Sequence, residues 1–392
     1  MASTSHLLMH NSPAVFKLPA EINQSIFSYL ECGSLLSCAL TCRSWAVSAQ
    51  YLLFRFARVS SPASAQKLNR TLRESATLRQ LVIDLTVCGK LRDTVKPWLC
   101  GNVDPLALIP NPKTLPRLRT LRIEHWDRVH FKPAFWTMLR RLKNVSELHL
   151  RACHFHTSCH IEDFVFAFPR LAALTIDSVR WAGDRERVFV RRPEYAERTL
   201  ALHTLRVCNP FEYGPLFQWL SAHGAAAGVR HLALVRFDVL NIRPAEAFVR
   251  ELGPTLESLT FGIYLPACCD KSARRLDLAH NTGLRTLALQ IYDVDDSFVR
   301  WVGSVLDSAV ALPLRHVALS LTLDHRKTLW GTAWGAIHDA LTTYWRTTLE
   351  DVVVTHCAVP GFLQDVQPLF KERFPELLQR GLLSVVVDTQ DP

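Results

Sequence analysis

The sequence predicts an α/β chain in two parts: a small three-helix unit over residues 15–57, then a solenoid over residues 60–392 with a parallel sheet and outer helices. Three observations predict it. A stretch near the start, "LPAEINQSIFSYL" from Leu18 to Leu30, carries apolar residues at helical spacing. A six-residue apolar pattern recurs from residue 78 onward, mostly every 26 to 31 residues. Between its copies lie stretches with helical periodicity.

In the opening stretch, Leu18, Ile22, Ile26 and Leu30 form one stripe of a helix, and Pro19 stands where a first turn tolerates proline. Cys32-Gly33-Ser34 breaks the pattern, and Ser34 is placed to cap a second helix from Leu35 to Ser48. That helix is apolar on two sides: Leu35, Cys38, Ala39, Cys42 and Trp45 on one, Leu36, Leu40 and Val47 on the other. A third segment, Gln50 to Phe56, holds Tyr51, Leu52, Leu53, Phe54 and Phe56. A unit of about forty residues sits at the lower size limit for independent stability. A helix apolar on two sides needs covering on both. One side closes the small bundle; the other needs either the following domain or another protein.

These residues carry a resemblance. Leu18, Pro19, Glu21 and Ile22, then Ile26, Phe27, Tyr29 and Leu30, then Leu35, Leu36, Ala39, Leu40, Cys42, Arg43 and Trp45 stand in the order typical of an F-box. The segment resembles that family over about a tenth of the chain. It departs at Glu31-Cys32-Gly33-Ser34, where many members have a proline and an aspartate, and at Phe54, where many have a tryptophan. The resemblance implies docking onto a Skp-type adaptor of a cullin ligase core through Leu18, Pro19, Ile22, Ile26, Leu30, Leu35, Leu36, Cys42 and Trp45.

The recurring pattern reads LRQLVI from Leu78, then LRTLRI, VSELHL, LAALTI, LHTLRV, VRHLAL, LESLTF, LRTLAL, LRHVAL and LEDVVV from Leu118, Val145, Leu171, Leu202, Val229, Leu256, Leu284, Leu314 and Leu349; LLSVVV from Leu382 is a last candidate. Period-two alternation within each copy predicts a strand. The intervening stretches, such as "PLFQWLSAHG" from Pro215, predict helices. Strand and helix alternating at near-constant period make a parallel sheet with helices outside. The pattern is similar to a degenerate leucine-rich repeat of the kind F-box proteins of mushroom-type fungi often carry. A doubly wound sheet is the other α/β reading. It is disfavoured because such a sheet has no recurring six-residue signature, and no glycine-rich phosphate loop follows the first strand.

Bulk composition narrows the function classes. No run approaches eighteen apolar residues, so no membrane span is expected. Residues 1 to 15 lack the basic start and long apolar stretch of a secretory signal, and eleven cysteines then read as reduced thiols of a cytoplasmic or nuclear protein. The net charge of +9 raises nucleic acid as a partner, but the basic residues cluster only in pairs such as Arg140-Arg141 and Arg191-Arg192. No catalytic or phosphate-binding motif is present, so no enzyme activity and no cofactor are expected. "RACHFHTSCH", Arg151 to His160, offers potential zinc ligands at a spacing that fits no common zinc motif. Cys153 is better explained as the ninth residue of its repeat, a place that buries a small side chain; Cys357 holds the same place in its copy.

The positions between the apolar ones face the open side of the sheet. They are Gln80, Val82 and Asp84; Thr120, Arg122 and Glu124; Glu147, His149 and Arg151; Ala173, Thr175 and Asp177; Thr204, Arg206 and Cys208. Later copies are smoother, with His231, Ala233 and Val235, then Ser258, Thr260 and Gly262, then Thr286, Ala288 and Gln290. A target protein is expected to contact Asp84, Arg122, Glu124, His149, Arg151, Asp177 and Arg206, with Trp126, Trp181 and Tyr292 as aromatic anchors at the rim. Arg122 and Arg151 are the pair whose reversal to Glu is expected to weaken capture of the target. The expected function is substrate receptor of a ubiquitin ligase. The alternative is an interaction scaffold whose N-terminal helices only cap the repeats.

Overall fold

The computed structural model describes residues 18–89, 104–127, 129–181, 193–209, 214–238, 242–264, 276–292, 296–323, 334–344, 348–358, 368 and 370–387. Three helices open it: α1 (Ala20–Phe27), α2 (Cys32–Thr41) and α3 (Arg43–Arg55). The expected second helix, Leu35 to Ser48, is in fact divided. Cys42 is fully extended (φ −157°, ψ 163°), which ends α2 and starts α3. Ser34 lies inside α2 rather than at its cap, because that helix begins at Cys32 behind Glu31.

From α3 the chain passes straight into β1 (Phe56–Val59), the first strand of a twelve-stranded sheet. The others are β2 (Asp84–Cys88), β3 (Thr120–Glu124), β4 (Glu147–Arg151), then, after the two-residue β5 (His154–Phe155), β6 (Ala173–Asp177). After β7 (Arg180–Trp181) come β8 (Thr204–Cys208), β9 (His231–Asp238), β10 (Ser258–Tyr264), β11 (Thr286–Ile291), β12 (His316–Leu323), β13 (Asp351–Ala358) and β14 (Leu383–Val387). β5 and β7 pair with each other outside the large sheet, and His154 of β5 also bridges Asp127. Every strand of the large sheet is parallel to its neighbours, and their order follows the chain without reversal. A doubly wound sheet reverses at a switch point; this one does not.

Register shows why the apolar pattern recurs. Leu85, Leu121, Leu148, Leu174, Leu205, Leu232, Leu259, Leu287, Val317 and Val352 align strand by strand, and nearly all are fully buried. Helices cover that face. They include α4 (Pro62–Glu74), α5 (Ala76–Arg79), α6 (Pro105–Leu108), α7 (Pro133–Leu139), α8 (Cys159–Ala167), α9 (Gly214–Ala222), α10 (Ile242–Leu252), α11 (Asp296–Ser308), α12 (Trp334–Asp339) and α13 (Pro375–Gln379). Phe135, Phe164, Phe217, Phe248 and Val302 on these helices join the strand leucines in one continuous core.

The first copy is displaced from its expected frame. Leu78 ends up in α5, and the strand starts at Asp84. Register puts Val82, Leu85 and Val87 opposite Leu118, Leu121 and Ile123, so the working copy is VIDLTV, four residues on. Gln80 and Val82 therefore leave the open face, and Val82 is fully buried. A further copy, Phe54–Val59, lies before it: Ala57 and Val59 pair with Leu85 and Val87.

Candidate partner-docking surfaces

The helical unit has a core of Phe27, Leu35, Ala49 and Leu52, separate from that of the sheet. Trp45 is half-buried and meets Phe27 edge to face, with ring centroids 5.4 Å apart. Leu30, Cys38 and Ala39 pack against this core. Leu35, placed above among the docking residues, belongs to the core instead, because α2 turns that face inward. Of the expected stripe, Leu18, Ile22 and Ile26 remain about half exposed. On α2 and α3, Leu36, Leu40 and Val47 are exposed, Leu40 at 88 %. Tyr29, between α1 and α2, is 87 % exposed. Pro19 and Cys42 are exposed as well. The Cys42 thiol is held below its usual range by the Ser44 hydroxyl and by the backbone at Trp45. Each apolar side chain of this face would gain about 1.5–3 kcal/mol on full burial.

Residues 15–59 match the F-box-like family. No curated protein shows significant similarity to the chain. The F-box-like unit thus spans α1–α3 and β1, and its exposed apolar side chains lie within the matched residues.

The second surface is the open face of the sheet. One row across its first strands reads, in register, Arg58, Thr86, Arg122, His149, Thr175 and Arg206, with acids in the rows on either side. Carboxylates of the neighbouring rows neutralise most of the arginines of these strands. Arg58 bonds Glu124 at 3.3 Å, Arg122 Nε bonds Asp84 at 2.9 Å, and Arg151 Nε lies 3.4 Å from Asp177. Glu147 takes the Thr120 hydroxyl at 3.1 Å and lies 3.9 Å from His149. Burial pushes the Asp84 carboxyl up, more than Arg122 draws it down. Burial, followed by repulsion from Arg122, lowers His149 to about 4. Arg122 and Arg151 are thus committed to carboxylates, and reversing them would leave Asp84 and Asp177 facing new like charges.

The rim anchors fare differently. Trp126 is 1 % exposed, so it is a core residue and not an anchor. The reason is a repeated turn. His125, Ala152 and Ser178 each follow a strand end with positive φ, as does Asn209. The left-handed step swings the next residue inward, so Trp126, Cys153 and Val179 are all buried. Trp126 lands among Phe131, Phe135 and Phe164, with centroids 5.7, 5.8 and 6.2 Å away. It also forbids a side chain at Gly89, where a Cβ would lie 2.2 Å from the indole. Trp181 is half-buried against the core, and Tyr292 is half-buried on the open face.

Cys153 takes its expected place. Its thiol donates to the carbonyls of Ile123 and Arg151 at 3.4 and 3.3 Å, and burial pushes it up to about 12. The Cys357 side chain lies outside the described residues. Among the described residues no three His, Cys, Asp or Glu side chains converge in a metal-ligating group. No helix among them is long and apolar enough to cross a membrane.

Proposed function

We propose that this protein is the substrate-receptor subunit of a Skp-cullin-F-box ubiquitin ligase. The observation that carries it is the unshielded apolar face of Leu18, Ile22, Ile26, Leu36, Leu40 and Val47 inside the F-box-like match. A core of four buried residues leaves that face to a foreign subunit. The remainder of the chain reads as a leucine-rich-repeat-like solenoid. Its support is the in-order parallel sheet and the turn repeated after β3, β4, β6 and β8. In this reading the chain catalyses nothing. It holds a target at its open face and raises the effective concentration of the target's lysines at a separate enzyme.

Co-purification with a Skp-type adaptor tests the docking half. The variant Leu18→Ala/Pro19→Ala/Ile22→Asp is expected to lose the adaptor while keeping the wild-type unfolding midpoint. A complex that survives the triple change removes the docking role.

A second reading has its own observation. β1 follows α3 without a linker and forms the first strand of the sheet. The helices then cap the repeats of an interaction scaffold that has no ligase role.

A further inference from the structure

Among its described side chains from β1 to β9, the open face carries more arginine than carboxylate, and the arginines without a carboxylate stand together. From β1 to the middle of β9 its described side chains include Arg58, Arg122, Arg151, Arg206 and Arg236, against Asp84, Glu124, Glu147 and Asp177. Arg58, Arg122 and Arg151 each hold a carboxylate. Glu147 is met by Thr120 and His149. Arg206 and Arg236 have no carboxylate partner among the described side chains, and both are exposed.

These two arginines stand on neighbouring strands. Arg206 pairs with Ala233 across β8 and β9, and Cys208 with Val235. Arg236 is the next residue, with φ 56°, and the β9–β10 register slips there: Leu234 pairs with Phe261 and Phe237 with Ile263. Val235 and Arg236 therefore stand opposite Gly262 alone, in a bulge of the kind that re-aims a side chain. A Cβ at Gly262 would lie 3.1 Å from Gln290 and 3.2 Å from Tyr292. The glycine lets Tyr292 lie close over β10, where its hydroxyl donates to Gln290 Oε1 at 2.8 Å. The Arg236 guanidinium sits over that ring, 5.5 Å from its centroid. Among the described side chains, Asp177 at the end of β6 is already engaged by Arg151, Ser178 and Asn209. Both guanidiniums act at once on the buried Cys208 thiol and on the Tyr292 phenol. Burial raises each of those groups, and the two cations draw each down.

We propose that Arg206 and Arg236, with Tyr292 as their wall, receive an acidic side chain of the target protein, a carboxylate or a phosphate. This rests on the open face being the target-binding surface. The bulge and the tyrosine hold one guanidinium in place, and its neighbour completes a two-pronged cation suited to a planar or tetrahedral oxyanion. East of it, across β10–β12, Thr260, Ala288 and Ala318 leave the row free of large side chains, so a chain segment carrying the anion can lie close to the sheet.

The test uses the full-length protein without adaptor and three degenerate dye-labelled peptide libraries, with a fixed central phosphoserine, glutamate or serine. Fluorescence polarisation should show at least about tenfold tighter binding of an anionic library than of the serine library. Arg206→Gln/Arg236→Gln should reduce it to the serine level at an unchanged unfolding midpoint. The control Arg250→Gln/Arg315→Gln, on the outer helix α10 and before β12, removes the same charge and should leave it intact. Preference for phosphoserine over glutamate identifies a phosphate source, and equal binding a carboxylate one. Equal retention of all three libraries, no binding by the wild type, or an equal loss in the control overturns the site. Adaptor capture by Arg206→Gln/Arg236→Gln is measured separately, so failure here and failure of the ligase reading are distinguishable.

Discussion

His149 shows how one residue reports the electrostatics of the open face. Burial, then the Arg122 cation, lower it from 6.5 to about 4, against the pull of Glu147. Between those values the unfolded chain takes up a proton that the folded chain refuses. Stability is therefore full above about pH 6.5 and declines as the pH falls toward 4. His149→Gln removes that linkage. Its drop in melting temperature from about pH 7.5 to about pH 4.5 is expected to be smaller than the wild-type drop; equal drops would show that His149 titrates normally in the fold. The charged row itself was legible, because strand alternation alone puts Arg122, His149 and Arg206 on one face. Its internal pairing was not, since Arg122 and Asp84 stand 38 residues apart and meet only through register. Trp126 was legible and misread. It occupies the ninth place of its copy, as Cys153 does, and the count that buried the cysteine buries the tryptophan. Arg236 and Tyr292 converge through a bulge, and a one-residue slip in pairing leaves no trace in the apolar pattern.

At the scale of elements, α2 separates what the unit needs from what it offers. Leu35 is buried with Phe27, Ala49 and Leu52, whereas Leu36 and Leu40 face outward. Leu35→Ala is expected to destabilise the helical unit by about 2–5 kcal/mol. Leu36→Ser/Leu40→Ser should stay within about 0.5 kcal/mol of wild type, as surface changes do. Hydrogen exchange of the α2 and α3 amides across a denaturant series measures both. A large loss in the double variant would mean that the outer face is already covered within the protein. The same helices show where sequence reading stops. The two-sided pattern of α2 was visible, because spacing fixes faces. The break at Cys42 was not, because Thr41-Cys42-Arg43 holds neither glycine nor proline and only packing selects the extended residue. Leucines mark the later strands but not the first, because LRQLVI offers the same pattern as the VIDLTV that overlaps it, and α5 takes Leu78 and Arg79 of the former.

For the whole molecule the question is whether the F-box-like unit is a module or a cap. Its core and that of the sheet are separate clusters, yet β1 follows α3 directly and lends Ala57 and Val59 to the sheet. The point of division therefore lies between Arg55 and Phe56, inside the matched segment. A fragment of residues 56–392 loses Phe54 but keeps β1, with Ala57 and Val59 covering Leu85 and Val87. It is expected to stay soluble and monomeric, with a single thermal transition. A fragment of residues 60–392 loses β1 and leaves Leu85 and Val87 at a raw parallel edge, which invites edge-to-edge pairing. Its midpoint should fall and it should aggregate. Light scattering and calorimetry on the two fragments decide the matter. If the longer fragment aggregates as readily as the shorter, the helices are needed to close the repeats, and their exposed leucines belong to a cap. If only the shorter one does, four residues of strand seal the sheet, and the three helices in front of it are free to serve another protein.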